Sequence, residues 1–422
     1  MSDPSAKTAA SATTPEASTA ASADATTATP AAAPKSPVST PLSTPLLAAQ
    51  KATATTSADT PPSAALAETT ETTAPTDAPT PAAEDPDILP ASHWTQAAQV
   101  NGSDEDSSYG DDIISSTASL SSSILDYRTL HGRTFHSQRG NAESWNPNDT
   151  QHNESMEILH HASTLMQGGK LFLAPLGDNV QNVLDVGCGP GIWAIDFADQ
   201  YPGAEVVGVD VSPTQPQWIP PNLKFEHDDV SQPWTYKPDT FDYIHMRWLV
   251  GNIEDWYELF KEIFRALKPG GYFESKESSA IITSDDGTVT EDSALSQWGK
   301  VFNQAGKKWG RSFLIVEDDI QRKAMEAAGF VDIKEYPFKA PLGTWPADEK
   351  MQELGQFLQL ALYQDIEGFV VKTWSAIMGW SIEEIQIYAA HLRRELRSRT
   401  IHPYYIQKVV IGRKPDVGEV PP

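Results

Sequence analysis

The chain has 422 residues, and 57 acidic side chains against 31 basic ones give it a formal charge of −26. A field of that sign repels phosphate backbones, so direct nucleic-acid binding through the bulk of the surface is excluded. Cys188 is the single cysteine, which rules out an intrachain disulfide and fits the cytoplasm or nucleus. Residues 1–93 contain no aromatic side chain, Trp94 being the first, and hold 14 of the 32 prolines. Such an Ala/Thr/Ser/Pro stretch buries too little apolar surface to offset its conformational entropy. Residues 1–110 are therefore expected to form a disordered leader. An Arg-rich presequence does not fit, because the first arginine is Arg128. No apolar run reads as a signal core or a membrane span.

The ordered part declares itself at Asn182–Gln200, NVLDVGCGPGIWAIDFADQ. A short apolar strand (Val183, Leu184, Val186) ends in a loop with Gly187, Gly189 and Gly191, and a helical run follows at once. Glycine lets a backbone approach a ligand closely, and a helix N-terminus offers free N–H groups. A dinucleotide loop would need Gly or Ala where this chain has Ile192. The pattern is instead D-x-G-x-G-x-G with Asp185 at its head, the loop of S-adenosylmethionine (SAM) methyltransferases.

The next elements repeat the unit. AEVVGVDVS is a buried strand ending in Asp210, 25 residues after Asp185, where a nucleoside ribose is usually caught. NLKFEHDDVSQPW is a third strand, with Asp228 and Asp229 suited to accept from an adenine amino group. DTFDYIHMRWLV reads as strand four. NIEDWYELFKEIFRALKPGG reads as its crossover helix, apolar at 257, 260, 263, 264 and 267 and stopped by Lys-Pro-Gly-Gly. YFESKE is strand five. Near the end, SIEEIQIYAAHLRRELRSR opens with a capping box, Ser381 and Glu384, and shows an apolar face through Ile385, Tyr388, Leu392 and Leu396. Its four arginines (393, 394, 397 and 399) suit a solvated helix C-terminus better than a docking patch. No Cys/His spacing suggests zinc, and no metal is expected.

On these residues the chain resembles the fungal LaeA-like methyltransferases, the TAM-domain group of class I enzymes. The resemblance spans about Ser115 to Pro415. It is carried by SSTASLSSSILDYRTLHGRTFHS, GGKLFLAPLG, the glycine loop with its following strand, and the C-terminal GWSIEEIQIYAAHLRRELRSRTIHPYYIQKVVIGRKP. Pro190 stands where many relatives carry a small hydroxyl residue. The resemblance implies a Rossmann-like α/β fold: a seven-stranded, mostly parallel sheet with an antiparallel last strand. GFVDIKEYPFKAP and YIQKVVIGRKP would be its last two strands, and helices near 348–363 and 381–399 a cap over the substrate side. Residues 111–178 would be an N-terminal segment and helix covering the cofactor, and 179–415 the methyltransferase domain.

The cofactor expected is SAM. Asp185, Gly187, Gly189 and Gly191 are assigned to its methionine part, with Cys188 tucked beneath. Asp210 is assigned to the ribose, Asp229 or Asp228 to the adenine, and Val211 is a further cofactor contact. His245, beside Met246 and Arg247 at the end of strand four, is the candidate base and cofactor neighbour, since imidazole titrates near neutrality. Its alternative is a satisfied histidine at a strand end. The family is associated with control of fungal secondary metabolism and development, partly through velvet-type nuclear complexes, so such protein partners are expected. Some members methylate small molecules in biosynthetic clusters. A regulatory methyltransferase is the main expectation, because strand four offers no decisive acid–base set and the leader suits partner docking. A small-molecule O- or N-methyltransferase is the alternative, and a SAM-binding regulator without turnover a third. A closed aromatic pocket would favour a small metabolite, an open acidic cap a protein.

Overall fold

The structure, a computed structural model, describes residues 87–100, 125–137 and 143–419. The disordered-leader expectation for residues 1–86 and 101–110 lies outside the described residues. Seven strands make one sheet: β3 (Asn182–Val186), β4 (Glu205–Asp210), β5 (Leu223–His227), β6 (Phe241–Arg247), β7 (Leu267–Ser278), β8 (Val331–Pro341) and β9 (Tyr404–Arg413). Their order is β5-β4-β3-β6-β7-β9-β8, parallel except that β9 runs against both neighbours. The chain reverses its direction of travel between β3 and β6. In open α/β sheets that switch point opens a crevice at the carboxyl ends of the strands.

Two apolar layers cover the sheet. On one face α3 (Ile192–Gln200) packs Trp193 and Phe197 against Val183, Val206 and Tyr243. On the other, α4 (Trp256–Ala266) buries Trp256, Leu259, Phe260, Ile263 and Ala266. This stripe differs from the predicted one: Tyr257 faces outward, and the first turn is set by Asp255, which accepts from the Tyr257 and Glu258 N–H groups. The Lys-Pro-Gly-Gly segment is also more than a stop. It lies inside β7, which pairs Leu267 with Phe241 before a register shift brings Tyr272 opposite Tyr243. Helices α5 (Ala294–Trp309) and α6 (Ile320–Ala328) complete that side.

Above the carboxyl ends sits the cap. It consists of α7 (Glu349–Gln364), α8 (Ile366–Val371), a π-helical turn (Lys372–Ile377) and α9 (Ile382–Leu396). The capping box at Ser381 and Glu384 and the buried face Ile385, Tyr388, Leu392 and Leu396 are as predicted. Arg393 pairs with Glu367, and both Arg393 and Arg397 lie over the Tyr363 ring. An N-terminal hairpin, β1 (Tyr127–Leu130) and β2 (Arg133–Ser137), turns through His131 and Gly132, both at positive φ, and precedes α2 (Thr150–Met166).

The leader boundary requires correction. Residues Ala91–Val100 form a helix, α1, inside the range assigned to the leader. Trp94 is 2% exposed and packs edge-on against Tyr388 of α9. One large aromatic is enough to anchor a segment whose composition otherwise resembles the leader. Trp94→Ala should therefore lower unfolding free energy by about 3–5 kcal/mol in denaturant titrations. A chain starting at residue 101 should show a loss of the same order, and one starting at residue 87 should not.

Candidate active site

The glycine loop is shaped by two demands, positive φ and absent side chains. Gly187, Gly189 and Gly191 have φ of +66°, +56° and +83°. A Cβ on Gly187 would lie 2.5 Å from Leu249 Cδ2, and one on Gly191 2.4 Å from Phe225 Cζ. The Gly187 and Cys188 N–H groups donate to the Val209 carbonyl at 2.9 and 3.0 Å. Asp210 Oδ2 accepts from the Gly189 N–H (2.8 Å) and its Oδ1 from the Ser212 N–H (2.9 Å). Asp210 thus couples the two loops while part of its side chain stays open to the crevice. Burial holds its pKa above the usual carboxylate range, even against those donors.

The crevice measures about 1090 Å³ including its open mouth. Its floor is Gly187, Cys188, Gly189, Asp210 and Val211; Asp228 and Asp229 stand at one end. Asn146, His152 and Met156 approach from the N-terminal segment and α2. This fits an adenosyl cofactor: bare backbone at the glycines, a carboxylate after β4, and an acidic pair after β5. Cys188 is buried, its thiol pKa raised by desolvation and by Asp210, so it is an inert neutral filler. No group of three or more His, Cys, Asp or Glu among the described residues could hold a metal ion.

Two predicted site residues are brought together elsewhere. Asp185 and His245 are each 2% exposed, and Asp185 Oδ1 accepts from His245 Nδ1 at 2.8 Å. The imidazole lies flat on Trp193, centroids 3.8 Å apart and planes within 5°. Burial pushes the His245 pKa down to about 4. Neither residue lines the crevice. Asp185 therefore does not reach a methionine tail, and His245 is a satisfied core histidine rather than a base. The reason is side-chain alternation: both point into the α3 layer from neighbouring strands in direct register.

A second space of about 880 Å³, its open mouth included, adjoins the crevice, and Asn146, Met156 and Trp248 line both. Its walls are Trp145, Trp298, Phe302, Phe313, Leu358 and Phe369 among others. Asn146 Oδ1 and Gln407 Oε1 are buried there without a hydrogen-bond partner among the described residues. Trp248 adopts φ +58°, a strained value for a bulky residue, with the Arg247 guanidinium 4.4 Å from its ring centre. Glu277 secures this loop by accepting from the Leu249 and Val250 N–H groups (3.1 and 2.9 Å), and burial raises its pKa to about 8. No local pattern flags Glu277, Asn146 or Trp248, since their partners are distant in sequence.

With this geometry in place, comparison with known proteins identifies the class. A model described as "Methyltransferase domain" matches residues 158–335. The chain is 34% identical over 305 residues to "Methyltransferase pytC" of Aspergillus terreus, covering 72% of this chain and 93% of that protein. It is 35% identical over 291 residues to "Secondary metabolism regulator LAE1" of Cochliobolus heterostrophus, covering 68% and 94%. It is 33% identical over 308 residues to "Secondary metabolism regulator laeA" of Aspergillus fumigatus, covering 72% and 82%. The chain belongs to the LaeA-like family of fungal methyltransferases and is a SAM-dependent methyltransferase.

The buried His245 has a measurable consequence. Its pKa is about 4 in the fold against 6.5 unfolded, so the unfolded chain binds more protons between those values. Stability present above pH 6.5 is then lost as pH falls toward 4, by up to about 3 kcal/mol from this group. Equilibrium unfolding across that range should show the loss, and His245→Gln should flatten it.

Proposed function

We propose that this methyltransferase acts on a small, largely apolar, ring-bearing acceptor. The carrying observation is the aromatic-walled space that shares Asn146, Met156 and Trp248 with the cofactor crevice. An apolar pocket with few convergent polar groups is the usual form of a small-molecule site. Asn146 and Gln407 supply those groups, because a buried amide oxygen left unpaired is costly until a ligand donor reaches it.

On the cofactor side, Gly187, Cys188, Gly189 and Gly191 offer backbone to the methionine part, and Asp210 with Val211 to the ribose. Asp229, half-buried where Asp228 is exposed, takes the adenine end. Arg247, at the end of β6 and still cationic with its pKa lowered to about 10, suits the amino-acid carboxylate. A second reading is a regulatory methyltransferase working in a nuclear complex with velvet-type partners. It is favoured by the similarity to two secondary-metabolism regulators. The sole cysteine, a free buried thiol, supports a cytoplasmic or nuclear setting for either.

The two readings separate in one experiment. A deletion-strain lysate is incubated with the purified protein and SAM carrying a radiolabelled methyl group. Label should partition into solvent-extractable compounds; label confined to precipitated protein would favour the regulatory reading. Cofactor placement is checked by calorimetry with S-adenosylhomocysteine. Asp210→Ala should weaken binding by about 1.5–3 kcal/mol. Gly187→Ala should weaken it too, because its Cβ meets Leu249 and its φ is positive.

A further inference from the structure

His152 lies on the first turn of α2, 2% exposed, and lines the cofactor crevice. Its Nδ1 is 2.9 Å from Asp365 Oδ2, and its Nε2 is buried with no hydrogen-bond partner among the described residues. Asp365 is itself wholly buried and held ionised: Arg133 donates to both of its oxygens at 2.6 and 2.9 Å, and the Gly368 N–H donates at 3.1 Å. Its pKa is correspondingly lowered by His152 and Arg133 against the cost of burial. A carboxylate can only accept, so the proton of a neutral ring sits on Nδ1 and the Nε2 lone pair is free. The ring meets Phe369 edge-on, centroids 5.0 Å apart, and Phe369 is a wall of the acceptor space. Met156, one turn further along α2, lines both spaces. His152 therefore stands between the crevice that it lines and the Phe369 wall of the acceptor pocket, with its Nε2 unengaged.

Resting on the small-acceptor reading above, we propose that His152, oriented by Asp365, is the general base of the transfer and that the acceptor atom is the hydroxyl of a weakly acidic phenol. The acceptor oxygen forms a bond to the methyl carbon, and the carbon–sulfur pair returns to sulfur, leaving S-adenosylhomocysteine. The hydroxyl proton passes to His152 Nε2, giving an imidazolium stabilised by the Asp365 carboxylate until solvent takes the proton. A buried nitrogen with no partner has a reason to persist when a substrate donor satisfies it. The arrangement follows the logic by which a buried aspartate fixes the tautomer of a catalytic histidine.

Two bicyclic probes of similar size test this in the full-length protein: 7-hydroxycoumarin, a weakly acidic phenol, and 4-hydroxycoumarin, an acidic enol already ionised at about pH 6.5. His152→Gln should lower kcat for 7-hydroxycoumarin about 10²–10⁴-fold and spare 4-hydroxycoumarin to within about tenfold, because only the phenol needs a base. Asp365→Asn, which keeps shape and loses charge, should show the same selectivity. S-adenosylhomocysteine affinity should change less than about threefold in either variant. Equal losses on both coumarins, no loss on either, or a tenfold weaker cofactor would overturn the assignment. If wild type methylates neither probe, ring-¹⁵N histidine spectra of the S-adenosylhomocysteine complex decide. A shift of the His152 Nε2 signal on adding 7-hydroxycoumarin supports the base. Coumarin binding without that shift refutes it. No coumarin binding at all refutes the acceptor-pocket reading and takes the base with it.

Discussion

A single buried charge organises the catalytic side of this molecule. Asp365 sits where α7 meets α8, with no exposed surface. A carboxylate removed from water is tolerated only when donors replace its hydration shell. The donors here come from three separate places: Arg133 of the hairpin, His152 of α2 and the Gly368 backbone. Arg133 also grips Asp149, the N-cap of α2, through two bonds of 2.6 and 2.7 Å. Satisfying one charge therefore fixes the hairpin, the start of α2 and the cap relative to each other. Lys372 adds a second tie, donating to Glu143 and to the Ser144 carbonyl at 2.7 Å each.

This linkage matters because the sheet alone provides only half a site. The carboxyl ends of β3, β4 and β5 supply a floor of glycine backbone and carboxylates, which a bare scaffold would leave open to water. The tied segments supply the walls: Asn146 and His152 over the crevice, Trp145 and Phe369 over the acceptor space. Excluding water from such a site strengthens the electrostatic interactions within it and holds reactants in line. Trp248, kept in a strained backbone conformation, stands between the two spaces. Glu277 beneath it accounts for how that strain is maintained, since two hydrogen bonds to its carboxyl group hold the adjoining peptides.

The same architecture accommodates both kinds of relative this chain resembles. The cofactor floor lies at the strand ends, whereas acceptor choice rests on the walls supplied by the cap, α2 and the segment just before it. Here those walls are largely aromatic, with two buried amide oxygens, Asn146 Oδ1 and Gln407 Oε1, unpaired among the described residues. The cap's arginine run is largely absorbed by Glu367, Tyr363 and His391.

The sequence by itself determined what is local. Short hydrophobic runs marked β3 to β7, the glycine triplet announced the ligand-binding turn, and Ser381 with Glu384 marked the start of α9. These signals act over a few residues, through backbone propensity, φ restriction and capping, and so survive without knowledge of the fold. The direction of each side chain across the sheet was not legible. Asp185 looked like a ligand and His245 like a base until register turned both under Trp193. Trp94 lay hidden in leader-like composition because its partner Tyr388 is nearly three hundred residues away. His152 sits in an unremarkable helical stretch, and only tertiary packing brings Asp365 to its Nδ1 across 213 residues. Pairing between distant residues is decided by the packing of whole elements, and burial then converts that pairing into chemistry.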